Sequence, residues 1–182
     1  TFWFINNFLS FQYFFPKDKK KKFNYLEVGS FEGMSALYVL TSYVNSSVTC
    51  IDLWDSTFDN IKNLRYNFNL VENNFDENLK EFNFKKIKNY SVKAINDLYK
   101  LNEKFDYIYI DGSHEGYAIY EDAISSYNLL KKNGILIFDD IDINKCDGKL
   151  TPIEAIDKFL KKFYNSIKIL YFKRIVFLQK IN

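Results

Sequence analysis

Several residue types are scarce in this sequence, and each scarcity narrows the reading. Among 182 residues there are two cysteines, one histidine, two prolines, six glycines and only two arginines, Arg65 and Arg174. Cys50 and Cys146 show no metal-ligand spacing, so a reduced, cytoplasmic setting is expected. So few Gly and Pro residues leave no long flexible linker, no internal repeat is visible, and the length suits one domain with a sizeable core. No apolar run is long enough for a membrane span. The aromatic opening, Thr1 to Phe15, is too short and carries Asn6, Asn7, Ser10 and Gln12. It also lacks the basic start and small-residue cleavage site of a signal peptide. The absence of an initiating Met raises the expectation of residues upstream of Thr1. A net charge of +2 is too small to argue for nucleic acid.

What is present has the balance of an ordinary globular protein, with 47% hydrophobic and 26% charged residues. Aromatics reach 19%, and the bias towards Phe, Tyr, Lys, Ile and Asn is read as genomic rather than functional. The basic run Lys17 to Lys22, broken by Asp18, reads as a solvated loop before a strand, ahead of a phosphate-binding patch. Before it, Phe4, Phe8, Phe11 and Phe15 have helical spacing, which predicts an amphipathic helix lying against the domain. Its aromatic surface is also a candidate contact for a homo-oligomer.

Strand and helix patterns then alternate. Strands are predicted at Phe23–Val28, Val48–Leu53, Phe84–Lys88, Phe105–Ile110, Gly134–Phe138, Ile167–Phe172 and Ile175–Gln179. Helices are predicted at Gly33–Val44, Asp59–Lys80 and Val92–Lys100. A further one, marked by Tyr117, Tyr120, Ile124, Tyr127 and Leu130, is closed by Asn133-Gly134 as its C-cap. Thr151-Pro152-Ile153-Glu154 starts the last helix with Thr as N-cap, Pro at N1 and Glu at N3. The alternation implies a mostly parallel sheet covered on both faces. The last two strands have no room for a crossover and must be antiparallel. The expected fold class is therefore α/β, a doubly wound seven-stranded Rossmann-like sheet with a C-terminal antiparallel hairpin. Residues 1–22 form an N-terminal helix and basic loop, and 23–182 the α/β core of a single domain.

In open α/β sheets ligands sit beyond the carboxyl ends of the strands. Here those ends carry Glu27, Asp52, Asp111 and the pair Asp139-Asp140. The glycines after the first strand, Gly29 and Gly33, lack the dinucleotide spacing G-x-G-x-x-G. Gly29 permits an unusual backbone angle and Gly33 a close approach at the helix start. Glu27 and Glu32 would repel a pyrophosphate but suit a sulfonium cofactor that carries an ammonium group. The helix start near Ser35 offers donors for that cofactor's carboxylate, and Asp52 is placed to accept both ribose hydroxyls.

Leu26 through Ser35 (LEVGSFEGMS) resembles the first motif of class I S-adenosylmethionine-dependent methyltransferases. Thr49-Cys50-Ile51-Asp52 matches that family's acidic second-strand end, and Tyr90-Ser91 resembles the segment bordering the adenine. The resemblance covers roughly Tyr25 to Gln179. It implies S-adenosyl-L-methionine as cofactor, held by Glu27, Gly29, Ser30, Gly33, Ser35, Asp52, Ser91 and Asp111. Ile110-Asp111-Gly112-Ser113-His114, with the later acidic pair, is similar to a small-molecule branch akin to catechol-type O-methyltransferases. Those enzymes bind Mg²⁺ at an Asp after the fourth strand and an Asp-Asn pair after the fifth. In this sequence Asp140 stands where they have Asn.

Independently, three hard carboxylates, Asp111, Asp139 and Asp140, suit Mg²⁺ or Ca²⁺ rather than zinc, and side chains from neighbouring strand ends can converge on one ion. The competing reading has one of the pair capping a loop and the other solvated. His114 is a candidate general base, because an imidazole readily accepts a hydroxyl proton near neutrality; Asp111 is its candidate partner in catalysis. Methyl transfer to an oxygen, ahead of a nitrogen, of a small polar acceptor such as a sugar or metabolite hydroxyl is the expected chemistry. Trp54–Asp59 and Asn144–Leu150 are the expected acceptor walls. No nucleic-acid or membrane partner is expected. The rival readings are a nicotinamide-dependent oxidoreductase, disfavoured by the glycine spacing, and a non-catalytic module that binds the same cofactor.

Overall fold

A computed structural model of the chain describes residues 3–55, 67–142 and 150–182. Seven strands form one sheet: β1 (Asn24–Val28), β2 (Ser47–Asp52), β3 (Lys85–Lys88), β4 (Phe105–Ile110), β5 (Leu130–Phe138), β6 (Ile167–Phe172) and β7 (Val176–Lys180). Their spatial order is β3-β2-β1-β4-β5-β7-β6. The first five run parallel, and β7 runs antiparallel to both its neighbours, β5 and β6. The chain leaves β1 towards β2 on one side and later returns to lay β4 on the other. The carboxyl ends of β1 and β4 are thus the topological switch point, where such sheets bind ligands.

The alternation of side chains along each strand sorts the two faces. Leu26, Ile51, Ile108, Leu136 and Leu178 belong to one core, shared with α4 (Ser91–Lys100), α5 (Gly116–Leu129) and α6 (Pro152–Phe163). Tyr25, Cys50, Tyr109, Ile137 and Phe177 belong to the other, shared with α1 (Phe8–Phe14), α2 (Met34–Ser42) and α3 (Phe68–Leu79). Stepping two residues onward along each strand from Tyr25, Cys50, Tyr109 and Ile137 reaches Glu27, Asp52, Asp111 and Asp139. The period of two therefore turns four strand-end acids towards the face covered by α1, α2 and α3.

The N-terminal segment is broken into a 3₁₀ turn (Trp3–Asn6) and the short α1, and Phe8 of the expected apolar face stays 40% exposed. Phe11 and Phe15 are fully buried. Phe11 meets Tyr109 edge-on at 5.1 Å, and Phe15 stacks on Tyr107 at 4.3 Å. Helix α6 begins as its sequence requires: Thr151 and Glu154 form a reciprocal capping box, with Pro152 in the first turn. Of the expected helix Asp59–Lys80, α3 supplies the described part; residues 59–66 lie outside the described residues.

One expected boundary is corrected. Asn133-Gly134 does not cap α5, which ends at Leu129, and Leu130 already pairs with Phe105 of β4. Asn133, at φ 62°, instead lies within β5, where the register shifts between Phe105 and Tyr107. A left-handed Asn beside Gly is local chemistry that a helix end and a strand irregularity share, and the pairing with β4 decides between them. Among the described residues no helix is long and apolar enough to cross a membrane.

Candidate functional site

The loop after β1 is shaped by two glycines with left-handed backbones. Gly29, at φ 88°, lies against the β4 end so closely that a Cβ there would stand 2.3 Å from the Asp111 carbonyl oxygen. Gly33, at φ 79°, is the N-cap of α2 and faces Phe75 and Leu79 of α3. Between them Phe31 also adopts a positive φ, 47°, rare for an aromatic residue and a sign of stored strain.

Glu27 ends β1 beneath this loop and is fully buried. Its Oε2 accepts a hydrogen bond from the Tyr25 hydroxyl at 2.8 Å, while Oε1 has no hydrogen bond of good geometry. Burial pushes this carboxyl up to about 7, against the pull of the Ser35, Tyr25 and Ser30 hydroxyls and with a small upward push from Asp52. The Ser30 hydroxyl is likewise buried with no hydrogen bond of good geometry. A buried carboxylate oxygen and a buried hydroxyl left unsatisfied beneath a strained loop are what a polar ligand group would complete.

Asp52 ends β2 and ties the two loops together. Its Oδ2 accepts the Phe31 N–H and its Oδ1 the Trp54 N–H, each at 2.8 Å. The Trp54 indole N–H donates back to the Phe31 carbonyl at 2.8 Å, and Trp54 itself is left-handed at φ 45°. Burial raises the Asp52 carboxyl, partly offset by these backbone donors. Ser91 opens α4 and turns towards Asp122 of α5, whose carboxyl it helps to hold down.

Across the switch point, the Tyr109 hydroxyl bridges two acids, at 3.0 Å from Asp111 Oδ2 and 2.6 Å from Asp139 Oδ2. Burial, then the charges of Asp139 and Asp140, drives the Asp111 carboxyl well above the usual carboxylate range. Asp139 is raised too, chiefly by burial. Two acids in this state call for a proton or a cation between them. Asp140 is turned elsewhere by its left-handed backbone, φ 50°. Its Oδ1 accepts from Arg174 Nε at 3.0 Å and from the terminal guanidinium nitrogen at 2.5 Å, while its Oδ2 lies 3.5 Å from His114 Nε2. These partners, His114 first, hold its carboxyl below the usual range. His114 Nδ1 is buried and has no partner.

The structure thus gathers Glu27, Gly29, Ser30, Gly33, Ser35 and Asp52 around one loop, and Asp111 and Asp139 around one hydroxyl. His114 and Asp140 form a second cluster with Arg174. Among the described residues no group of three or more His, Cys, Asp or Glu side chains is arranged around one point. The expected acceptor walls fall largely on residues 56–59 and 144–149, outside the described residues; so does Cys146. Two residues of the site were not visible in the sequence. Arg174 arrives from the tight connection between β6 and β7. Asn7, at the start of α1, donates its side-chain amide to Asp139 Oδ2.

A doubly wound sheet with a glycine loop over a buried acid at the switch point defines a protein that binds a nucleotide-type cofactor. The sequence profile of a methyltransferase-domain family matches residues 26–141, and the chain belongs to that family, as a class I S-adenosylmethionine-dependent methyltransferase. No curated protein matches the sequence significantly. Among solved structures, MycE methyltransferase from the mycinamycin biosynthetic pathway, in complex with Mg and SAH, is similar at 12% identity and a TM-score of 0.70. That match covers 96% of this chain and 48% of MycE, so the chain spans about half of that relative's length. The O-methyltransferase NovP is similar at 14% identity and a TM-score of 0.63, covering 88% of this chain and 72% of NovP. An O-methyltransferase from Bacillus cereus in complex with SAH has 12% identity and a TM-score of 0.63, covering 86% and 73%.

Proposed function

We propose that this chain transfers a methyl group from S-adenosylmethionine to an oxygen of a small polar acceptor, such as a sugar or metabolite hydroxyl. The observation that carries the reading is the unsatisfied Glu27 Oε1 and Ser30 hydroxyl beneath the strained loop, facing the Asp111–Asp139 pair across the switch point. The O-methyltransferase neighbours support oxygen as the target.

When bound, S-adenosylmethionine supplies an electrophilic methyl group on sulfur. Glu27, once ionised, pairs with its ammonium, and the α2 start by Gly33 and Ser35 offers donors to its carboxylate. Asp52, at the β2 end, is the acid placed to accept the ribose hydroxyls. Ser91 borders the adenine side. With its Nε2 directed at Asp140, His114 leaves Nδ1 to accept the acceptor's hydroxyl proton. Much of the rate enhancement on this reading comes from orientation of the two reactants.

Metal assistance belongs to the same reading. Asp111 and Asp139 fit a hard divalent cation such as Mg²⁺ by their chemistry and their mutual proximity, whereas Asp140 is engaged by Arg174 and enters only if that pair opens. A cation there would lower the pKa of a bound hydroxyl. The Mg in the MycE complex supports the assignment.

Calorimetric titration of S-adenosylhomocysteine, with and without Mg²⁺, tests the reading, followed by a panel of catechol and sugar hydroxyl acceptors. Micromolar binding and transfer to at least one hydroxyl are expected. Binding of NADH in its place would overturn the cofactor, and tight binding without turnover on any acceptor would leave a cofactor-binding module.

A further inference from the structure

The N-terminal segment carries apolar side chains on both of its sides. Inwards, Phe11 and Phe15 are buried against Tyr109 and Tyr107. Outwards, Ile5, Leu9 and Tyr13 recur every fourth residue, the spacing of one helical stripe, and are 60%, 73% and 71% exposed. An ordinary surface helix places polar residues on that side. Lys17 extends the stripe by one more step of four and opens the run Lys17 to Lys22, whose five lysines are all exposed.

Stripe and run share a groove. A shallow hollow of about 360 Å³ is lined by Leu9, Gln12, Tyr13, Pro16, Lys17 and Lys19, so apolar walls stand beside two ammonium groups. The hydrogen-bond partners of those groups are neutral: Lys17 Nζ donates to the Gln12 carbonyl at 3.3 Å, and Lys19 Nζ to the Tyr43 hydroxyl at 2.8 Å. The one carboxylate of the run, Asp18, accepts the Lys20 backbone N–H. At the far edge of the sheet, by contrast, Lys85, Lys86 and Lys88 of β3 each pair with a carboxylate. Among the described residues no carboxylate pairs with a lysine of the run. A second copy of the chain is a poor occupant of this face. A two-fold contact centred on the groove sets two such runs, each with five lysines to one acid, against each other.

We propose that this face docks on an anionic lipid bilayer, with Ile5, Leu9 and Tyr13 at the boundary of headgroups and acyl chains and the lysine run among the lipid phosphates. A cluster of about four to eight basic residues beside an amphipathic helix is the usual footprint of such binding. The apolar stripe supplies the burial that charge alone lacks. Lysine without arginine favours a bilayer over an acidic peptide, because flexible point charges suit a laterally mobile charge and lack the fork that reads a fixed carboxylate. Spacing alone leaves the run a solvated loop; the groove and the exposed stripe beside it make it half of a composite surface. Asn7, at the start of α1, donates to Asp139 Oδ2, so the docked face lies beside the strand ends that carry the candidate site.

The test is co-sedimentation of the full chain with vesicles of phosphatidylcholine alone, and of phosphatidylcholine with about one third phosphatidylserine. Binding to the anionic vesicles, weakened by salt, and none to the neutral ones is expected. Lys20→Gln, Lys21→Gln and Lys22→Gln combined should weaken it about 100-fold, and Leu9→Ser with Tyr13→Ser about tenfold. Lys161→Gln with Lys162→Gln, on α6 across the sheet, should leave binding unchanged. All three variants should keep the melting temperature of the unmodified protein. Equal binding to both kinds of vesicle, or to neither, overturns the proposal. So does an equal loss in the α6 variant, which is the signature of net charge alone. A dimer in analytical ultracentrifugation that Leu9→Ser with Tyr13→Ser abolishes assigns the face to a second copy, and tighter binding to polyglutamate than to the vesicles assigns it to an acidic protein. Either result overturns the bilayer.

Discussion

Gly29 faces Gly112 backbone to backbone, and a Cβ on Gly29 would stand 2.4 Å from the Gly112 Cα. The relation is one-sided, because a Cβ on Gly112 would meet nothing closer than the Val28 carbonyl oxygen at 3.6 Å. Gly29→Ala must therefore strain a left-handed backbone and part the β1 and β4 ends, at a cost of roughly 3 kcal/mol or more. Gly112→Ala should cost under about 1 kcal/mol. Urea unfolding of the two variants checks the contrast, and similar midpoints for both would contradict this packing.

On the proposed reading, Glu27 makes cofactor binding depend on pH. Its carboxyl titrates at about 7, and only the ionised form attracts an ammonium group. Affinity for S-adenosylhomocysteine should rise as pH increases from 6 to 8. Glu27→Gln should lose about tenfold or more at pH 8, and the gap should narrow towards pH 6. Calorimetry at both pH values decides the matter, and a variant that binds equally well at pH 8 removes Glu27 from the site.

Asp122 makes stability depend on pH. It is 2% exposed, its Oδ1 has no partner, and burial pushes its carboxyl up to about 7, with Ser91 as the main opposing contact. A folded pKa above the unfolded value means that the folded state holds the proton more tightly. This contribution is fully present below about pH 4 and is lost as pH rises through 7. Asp122→Asn should therefore be the more stable protein at pH 8, by up to roughly 4 kcal/mol, with an advantage that shrinks towards pH 4. Thermal melts across that range measure it; an unchanged difference would show that ionisation is not the cause.

If Asp111 and Asp139 hold a cation as proposed, Arg174 competes with it for Asp140. Arg174→Ala should release that carboxylate and tighten Mn²⁺ severalfold, whereas Arg174→Lys should keep most of the competition. The ion pair is half-exposed on the arginine side, so its own stability contribution should stay below about 1 kcal/mol. Unchanged Mn²⁺ binding in Arg174→Ala would mean that Asp140 takes no part.

Strand periodicity made most of this architecture legible. Tyr25-x-Glu27 and Tyr109-x-Asp111 alternate so that each acid follows a buried tyrosine on the same face, and the strand ends then follow from the helix-strand rhythm. The glycine loop was legible because few residues tolerate those backbone angles. Asn7 and Arg174 were not, because nothing local distinguishes an N-cap asparagine or a hairpin arginine that serves a distant acid. Asn133-Gly134 misled for a related reason: its turn chemistry is real, but the pairing of Leu130 with Phe105 is set by a neighbour remote in sequence. Asp140 was grouped with Asp111 and Asp139 by residue type. Its left-handed backbone, which sends it to Arg174 instead, carries no such mark.

The Trp54 indole, 2% exposed and hydrogen-bonded to the Phe31 carbonyl, ties the segment after β2 to the loop after β1. Its ring packs on Phe75 at 4.7 Å, with the Lys86 ammonium 4.6 Å from the ring centroid. An indole in such surroundings emits according to its hydrogen bond and the nearby charge, so a shift of the Phe31 carbonyl changes its spectrum without any label. The chain carries its own optical gauge of whether that loop has moved.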